Sequence, residues 1–442
     1  MKLVLPDLPI TESTGFEPEV DIFKRAEFGK RLANLIENAG GNPVIALDAG
    51  WGQGKSTFIK MWRGYLEHHR DKKIRTIYFD AFENDYQKDP FLALASEMYQ
   101  LISDDNEPKK FEFKDKAIKA GKSLLRGSLK LGVRTITAGL VDNTMLDAAE
   151  SELSGLVADQ VDELVKDRFE HAQKDKLALK EFKSYLAQFA EEQGKGEPIV
   201  FIIDELDRCR PDFALELLEQ VKHLFSVKGI TFLLVTNREQ LEQSIKAKYG
   251  DNDPVNYLHK FINVWLALPR AAEKYNDHGY QYLQYAMKAM LAGENQKLGE
   301  SHNVLLDIVQ YYQPSFREIE RILAYFAILS NMVSPNSQYV EDIQRIIGLV
   351  CYLKVCKPYV LKLANGNLSY EQIVAAANFD DIQQTERFFE LEKLARRVKF
   401  DFGNKELRQK MIDDKDIYVG YSHRPHPNYL VEINQWLTNI IN

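Results

Sequence analysis

Cysteine is scarce in this chain, with three in 442 residues: Cys209, Cys351 and Cys356. Their spacing fits neither a zinc site nor a disulfide framework, which points to a reducing, cytoplasmic setting. Long hydrophobic runs are absent too. The longest candidate, Ile346 to Leu353, is closed off by Arg345 and Lys354. A membrane-spanning helix needs roughly 18 uncharged residues or more. The opening stretch, Met1-Lys2-Leu3-Val4-Leu5-Pro6-Asp7, holds no signal-peptide apolar core. Basic charge is not in excess: 57 Lys and Arg stand against 65 Asp and Glu, a net charge of −8. That balance argues against a protein that coats nucleic acid, although a local basic patch stays compatible with it. No internal repeat or low-complexity tract stands out. What remains is globular in kind, with 45% hydrophobic and 28% charged residues. A chain of 442 residues exceeds one ordinary core, so two or three domains are expected.

One loop organises the rest, Ala49-Gly50-Trp51-Gly52-Gln53-Gly54-Lys55-Ser56. The apolar run Val44–Leu47 leads into it, and a helix-like run from Thr57 to Trp62 leads out. Strand, glycine-rich turn and helix in that order is the context of a phosphate-binding loop. Gly50, Gly52 and Gly54 let the backbone curl so that N–H groups point inward, and the helix that follows adds its positive dipole end. Lys55 is placed to reach the β- and γ-phosphates and Ser56 to ligate Mg²⁺, with Trp51, Gln53 and Thr57 completing the cradle. Trp51 reads as a packing or shielding residue. Ala49 stands where such loops usually carry glycine, and Gly50 is expected to absorb the turn.

Along the chain, residues 1–20 read as an extended arm, and residues 21–38 have helical spacing. Strands are expected at 44–47, 74–80, 199–203, 230–235 and 261–268, with helices at 91–101, 213–225 and 239–248. Strands alternating with helices imply a parallel sheet covered on both faces. Residues 103–195 are poor in aromatics and strand formers, and read as an inserted helical hairpin or bundle. Lys119, Lys122, Arg126, Lys130 and Arg134 form a basic stripe there, with Ile118, Leu125, Leu129, Gly132 and Ile136 on another face. The stripe either lies on a membrane surface or partner, or matches the acids that follow: Asp142, Asp147, Glu150, Glu152, Asp159, Asp162 and Glu163. The intramolecular match is preferred, because such stripes usually face water or neighbouring helices. From 272 onward the chain reads as mainly helical, with loops near 295–303, 333–338 and 401–424. His423 and His426, flanked by Tyr421 and Tyr429, have no acid or cysteine at ligand spacing, so no metal site is expected there.

The continuous apolar run Ile199–Ile203 ends in Asp204-Glu205. An aspartate there can hold Mg²⁺ beside the loop, and the glutamate can polarise an attacking water. Acids often end strands, so the pair gains meaning only with Gly54-Lys55-Ser56 upstream. Asn237, after the next strand, reads equally as a contact to the γ-phosphate or water and as a turn residue. Among Arg208, Arg210, Arg238, Arg317 and Arg321, surface salt bridging is the default, and Arg317 is raised above the others as a group that stabilises transition-state charge.

Several stretches in this order resemble the KAP P-loop NTPases. They are Asp21-Ile22-Phe23-Lys24-Arg25, Trp51–Ser56, Phe79-Asp80-Ala81-Phe82-Glu83, Ile203–Cys209, Tyr257–Ile262 and Pro314–Ile319. The resemblance covers roughly residues 20–325; the tail beyond carries no motif that can be placed. It implies a core in which the Asp204 strand is not directly beside the P-loop strand, and ATP hydrolysis or ATP-gated switching. Many bacterial relatives are linked to exclusion of phages or plasmids. Relatives often carry transmembrane helices between the two motifs, whereas the charges of this insertion exclude a span, and Asn237 stands where relatives often have Asp. The expected fold is α/β, a P-loop NTPase core with helices on both faces of a parallel sheet, plus a helical insertion and a helical C-terminal domain. The expected division is an arm (1–20), two halves of the core (21–102 and 196–271), the insertion (103–195) and the C-terminal helices (272–442). The expected activity is that of a cytoplasmic ATPase acting as a nucleotide-driven switch. Lys55, Glu205, Asn237 and Arg317 are its catalytic candidates, Ser56 and Asp204 its Mg²⁺ ligands, and ATP its nucleotide, since no guanine-reading Asn-Lys-x-Asp stretch occurs in the expected place. A protein partner or effector is expected, and self-assembly is compatible. A low-turnover nucleotide-binding scaffold and, further behind, a nucleic-acid motor are the competing readings.

Overall fold

A computed structural model of the chain describes residues 1–87, 89–103, 106–136, 158–250, 253–269, 278–291, 300–332, 341–362, 368–382, 387–416 and 428–441, with backbone alone for 125–136, 158–171 and 440–441. The apolar runs become five parallel strands: β1 (Val44–Asp48), β2 (Thr76–Asp80), β3 (Ile199–Asp204), β4 (Ile230–Thr236) and β5 (Val264–Ala267). Their spatial order is β2-β3-β4-β1-β5. β4 therefore separates the P-loop strand from the Asp204 strand. β3 and β4 are buried at every position, which is why each reads as an unbroken apolar run rather than an alternating one. β5, like β2, is an edge strand, and it is shorter than its sequence suggests. Phe261 and Ile262 both donate their N–H to Leu258 O at 2.9 Å, closing the helix Pro254–His259 instead of extending the strand.

Successive strand residues feed different cores, as the pleat requires. From β1, Val44 and Ala46 enter a core with Phe91, Phe113, Phe182 and Phe225, while Ile45 and Leu47 enter one with Leu32, Phe58 and Trp62. The second core seats the helices Ala26–Asn38 and Lys55–His68. The first helix begins at Ala26, not at Asp21. Lys24 takes a left-handed φ of 52°, and the Asp21 carboxylate accepts the N–H of Arg25 (2.8 Å) and Ala26 (2.9 Å). A third core lies within the C-terminal helices, from Tyr282 to Leu437. Two expected loops there are partly helical: Glu300–Tyr312 and Lys405–Asp413 are helices, the latter capped by Asn404. The expected 213–225 helix ends as one π-turn, Val221–Phe225.

The insertion leaves the sheet after the helix Pro90–Gln100 and contains the helices Glu107–Ile136 and Ala158–Gly194, which pack against each other. Phe113, Ala117 and Ala120 face inward, whereas Ile118, expected on the apolar face, is exposed. Two other lysines pair across the helices, Lys116 with Glu181 at 2.8 Å and Lys109 with Glu192 at 2.5 Å; the side chains of Arg126, Lys130, Arg134, Asp159, Asp162 and Glu163 lie outside the described residues. Exposed pairs of this kind contribute little, so the aromatic contacts at the base of the hairpin hold it. Lys119 pairs with Asp115 of its own helix at 2.7 Å, and Lys122 is exposed. Asp142, Asp147, Glu150, Glu152, Tyr421, His423 and His426 lie outside the described residues. Among the described residues, no helix is long and apolar enough to cross a membrane. The three cysteines are free thiols.

The N-terminal arm is packed rather than loose. Phe16 lies 5.7 Å from Phe58 between ring centres, and His69 Nε2 is 2.8 Å from Ser13 O. A Cβ at Gly64 would stand 2.1 Å from Thr14 O, a backbone atom that no rotamer change can remove. Alanine normally gains about 1 kcal/mol over glycine inside a helix. Displacing the arm costs about 1–3 kcal/mol and outweighs that gain, so Gly64→Ala is expected to lower the melting temperature. An unchanged or raised midpoint in thermal denaturation would refute the packing of the arm.

Candidate nucleotide-binding site

The strand ends come level because the sheet is parallel and in register. Asp48 pairs with Thr236, and Asp204 with both Val235 and Asp80. After β1 the chain turns through Ala49–Gly54 into the helix that starts at Lys55. Left-handed backbone occurs at Gly52 (φ 70°) and Gly54 (φ 74°), not at Ala49 or Gly50. The substitution of glycine by Ala49 is therefore free of strain, and Gly50 does not take over the turn. Gly52 is constrained twice over, since a Cβ there would also lie 3.2 Å from Arg317 Cβ and 3.3 Å from Arg317 N.

Lys55 is buried, and its ammonium donates to Ala49 O (2.7 Å) and Gly50 O (3.4 Å). Burial pulls its pKa down, opposed by the carboxylates of Asp207, Asp204 and Glu205. Gln53 folds back so that its Oε1 accepts the Gly50 N–H at 3.0 Å. Asp204 is fully buried and accepts from Glu205 N (2.8 Å) and Tyr78 OH (3.2 Å). Its pKa is raised by burial, against the hydrogen bonds from Glu205 N, Ser56 and Tyr78 and the charge of Lys55. Glu205 sits at φ 60°, a strained value for a non-glycine residue. Its carboxylate receives Ser56 Oγ–H at 3.4 Å on one oxygen and forms an ion pair with Arg208 Nε at 2.5 Å on the other. Burial and then Asp204 push the Glu205 pKa up.

A cavity of about 620 Å³ opens over the loop. Residues 50–57, Glu205, Arg208 and Arg317 line its polar end; Leu8, Ile10, Val20, Ile22, Met61 and Tyr285 line the apolar remainder. Asp204 and Asn237 are not part of this lining. Asn237 instead caps the helix Arg238–Tyr249, its Oδ1 accepting from Glu239 N (3.1 Å) and Gln240 N (3.4 Å), as the turn reading expected. Arg317 is exposed at the N-terminal turn of Phe316–Asn331, a helix closed by a Ser315–Glu318 capping box, and Phe316 N donates to Gly52 O at 3.1 Å. Arg210 and Arg238 pair elsewhere, with Asp85 and Glu242.

Among the described residues, no group of three or more His, Cys, Asp or Glu has metal-holding geometry. The donor set nevertheless fits a hard cation that keeps waters and phosphate oxygens. Ser56 offers a hydroxyl, and Asp204 a buried carboxylate whose desolvation an adjacent cation would relieve.

Three contributors escaped the sequence reading. Arg25 is buried, donates to Gln53 O (3.2 Å), Gly54 O (3.4 Å) and Pro269 O (3.4 Å), and has its pKa lowered to about 10 by burial. Phe23 stacks on Phe316 at 4.6 Å, joining the segment just before the first helix to the C-terminal helices. Asp207 completes the set, while Arg208, read from the sequence as a salt-bridging arginine, pairs with Glu205 inside the site. Arg25 and Phe23 were visible only as members of a resembling stretch.

The family model for the KAP family P-loop domain matches residues 25–333. The chain belongs to that family. No curated protein matches it. Solved structures of the Aeropyrum pernix ORC2 protein are similar at low identity. For the ADPNP-ADP complexes the identity is 12% and the TM-score 0.39, over 99% of this chain and 97% of that one. For the ADP form they are 13% and 0.35, over 99% and 87%. In this KAP domain, the matched span takes in the phosphate loop, Asp204-Glu205 and Arg317 alike.

Proposed function

We propose that the chain binds ATP with Mg²⁺ and hydrolyses it as a nucleotide-driven switch. The observation that carries this reading is the meeting of Ser56 and Glu205, from separate strand ends, beside a buried Asp204 and a lysine held among three carboxylates. The phosphates would lie along the N–H groups of residues 50–57, with Lys55 against the β- and γ-oxygens. Ser56 and Asp204 would hold Mg²⁺, which supplies charge neutralisation when bound. Glu205 would orient and deprotonate the attacking water. Arg317, on the rim, would face charge that develops on the transferred phosphoryl group. Asn237 would act only through its hold on the helix it caps.

The base would take the apolar end of the cavity, against Val20 and Ile22. Hydrolysis would alter how the C-terminal helices rest on Gly52, and an effector or a second copy would read that change. A cytoplasmic setting, read from the cysteine usage, and a part in excluding phages or plasmids, read from the family resemblance, belong to this proposal. A scaffold with slow turnover is the second reading, favoured by Arg208, whose bond to Glu205 ties up the carboxylate that must accept a proton.

The expected result for the wild-type chain is tighter binding of ATP than of GTP, with phosphate release that requires Mg²⁺. Equilibrium dialysis and a phosphate-release assay check both. Tight binding without release would support the scaffold, and no binding of either nucleotide would overturn both readings.

A further inference from the structure

We propose that Asp207 is a positioning residue that couples the apex of the phosphate loop to the end of β4 through its two carboxylate oxygens. This rests on the reading of the cavity as a nucleotide site. Asp207 is buried in the short turn Leu206–Arg208, which Glu205 launches from its left-handed backbone. Oδ2 accepts Trp51 Nε1–H at 2.5 Å. Oδ1 accepts Thr236 Oγ1–H at 3.1 Å and Asn237 N–H at 3.0 Å. One side chain thus joins the loop apex, the turn carrying Glu205, the last residue of β4 and the cap of the helix Arg238–Tyr249. Ser56 with Glu205, Ala49 N with Thr236 O and Arg238 N with Asp48 tie the same segments pairwise, and Asp207 is the side chain that reaches the loop apex itself.

The bond is what fixes Trp51. The residue is 46% exposed, so packing alone holds it weakly. A carboxylate removed from water is costly unless each oxygen finds donors, and three donors from two sides meet that requirement. Arg208, the adjacent cation on the same turn, is committed to Glu205 instead. A shift of the loop apex as phosphate enters therefore acts on Asp207, and through it on Thr236, on Asn237 and on the turn that aims Glu205.

The test uses the full chain with ATP and Mg²⁺. Asp207→Asn keeps the shape, but the carboxamide has one acceptor oxygen. With that oxygen serving Thr236 and Asn237, its NH₂ faces the Trp51 N–H, donor against donor. The expected result is a fall in kcat of about tenfold with KM within about threefold. Trp51→Phe removes the opposing donor, so the double variant should recover part of the loss. ATP should change the tryptophan emission of the wild type, lose that change in Trp51→Phe, and show a smaller one in Asp207→Asn.

Additive effects of the two substitutions, or unchanged kcat in Asp207→Asn, would overturn the proposal. So would a lowered melting temperature without any split between kcat and KM, the mark of a merely structural role. If Asp207→Asn does not fold, Thr236→Val deletes one donor to the same carboxylate and should give the same split at smaller amplitude; no split there also overturns it. A wild-type chain that binds no ATP overturns the nucleotide reading and this inference together. ATP binding by the wild type with additive variants overturns this inference alone.

Discussion

With glutamine at position 205, phosphate release falls by about 100-fold or more while ATP affinity stays within about threefold of wild type, the loss general-base removal typically produces. Glutamine preserves the length of the side chain and can still receive the Ser56 hydroxyl at its amide oxygen. What it loses is the ability to take a proton, together with the charge that engages Arg208. Binding is retained because Lys55, Ser56 and the loop N–H groups are untouched. Single-turnover phosphate release and equilibrium ATP binding, measured on the same preparation, separate the two quantities. Equal, nonzero release by both proteins would remove Glu205 from the chemistry. A loss of binding as large as the loss of rate would make it a structural residue of the cradle.

Replacing Lys55 by alanine acts at the other end of the same arrangement and is expected to abolish useful binding. Truncating one member of a buried, hydrogen-bonded charge pair costs about 2–5 kcal/mol, which is roughly 30-fold to several-thousand-fold in Kd. Lys55 faces the carboxylates of Asp207, Asp204 and Glu205, so its removal leaves three acids where a polyanion must enter. Affinity should therefore fall toward the upper part of that range. Lys55→Met, which keeps the buried stem, should bind as poorly as alanine while melting closer to wild type. Near-normal ATP binding by either variant, measured by equilibrium dialysis, would refute the assignment of Lys55 to the phosphates.

The sheet was legible because its strands are buried on both faces, so Ile199–Asp204 and Ile230–Thr236 appear as continuous apolar runs. The phosphate loop was legible because its residues are adjacent in sequence. The order of strands was not. It rested on a family resemblance, since nothing in the composition of β4 says that it lies between β1 and β3. The fifth strand was overread because Phe261 and Ile262 look like strand residues while their N–H groups close a helix. Asp207 was missed for a stronger reason. Its partners, Trp51, Thr236 and Asn237, come together only through the register of β1, β3 and β4. Arg25 was hidden likewise, because a buried arginine reaching loop carbonyls looks in sequence like any other charge on a helix end. Ala49 looked like a defect only until the positive φ values were seen to fall at Gly52 and Gly54.

The long insertion between β2 and β3 has a further consequence. These two strands are parallel neighbours, paired from Thr76 with Val200 to Asp80 with Asp204, so the chain leaves β2 at one end of the sheet and enters β3 at the other; the two ends of the insertion itself meet where Phe113 lies 5.5 Å from Phe189. A segment whose ends are already close can be lengthened at small entropic expense, about 0.6 kcal/mol for each doubling of a flexible loop. The rings of Phe91, Phe113, Phe182 and Phe225 anchor its base, with Phe91 and Phe182 5.1 Å apart. Beyond that anchor, the hairpin behaves as an exchangeable cassette. A change beyond that anchor would leave Asp204 and Glu205 where they stand, so one P-loop core can carry unlike insertions.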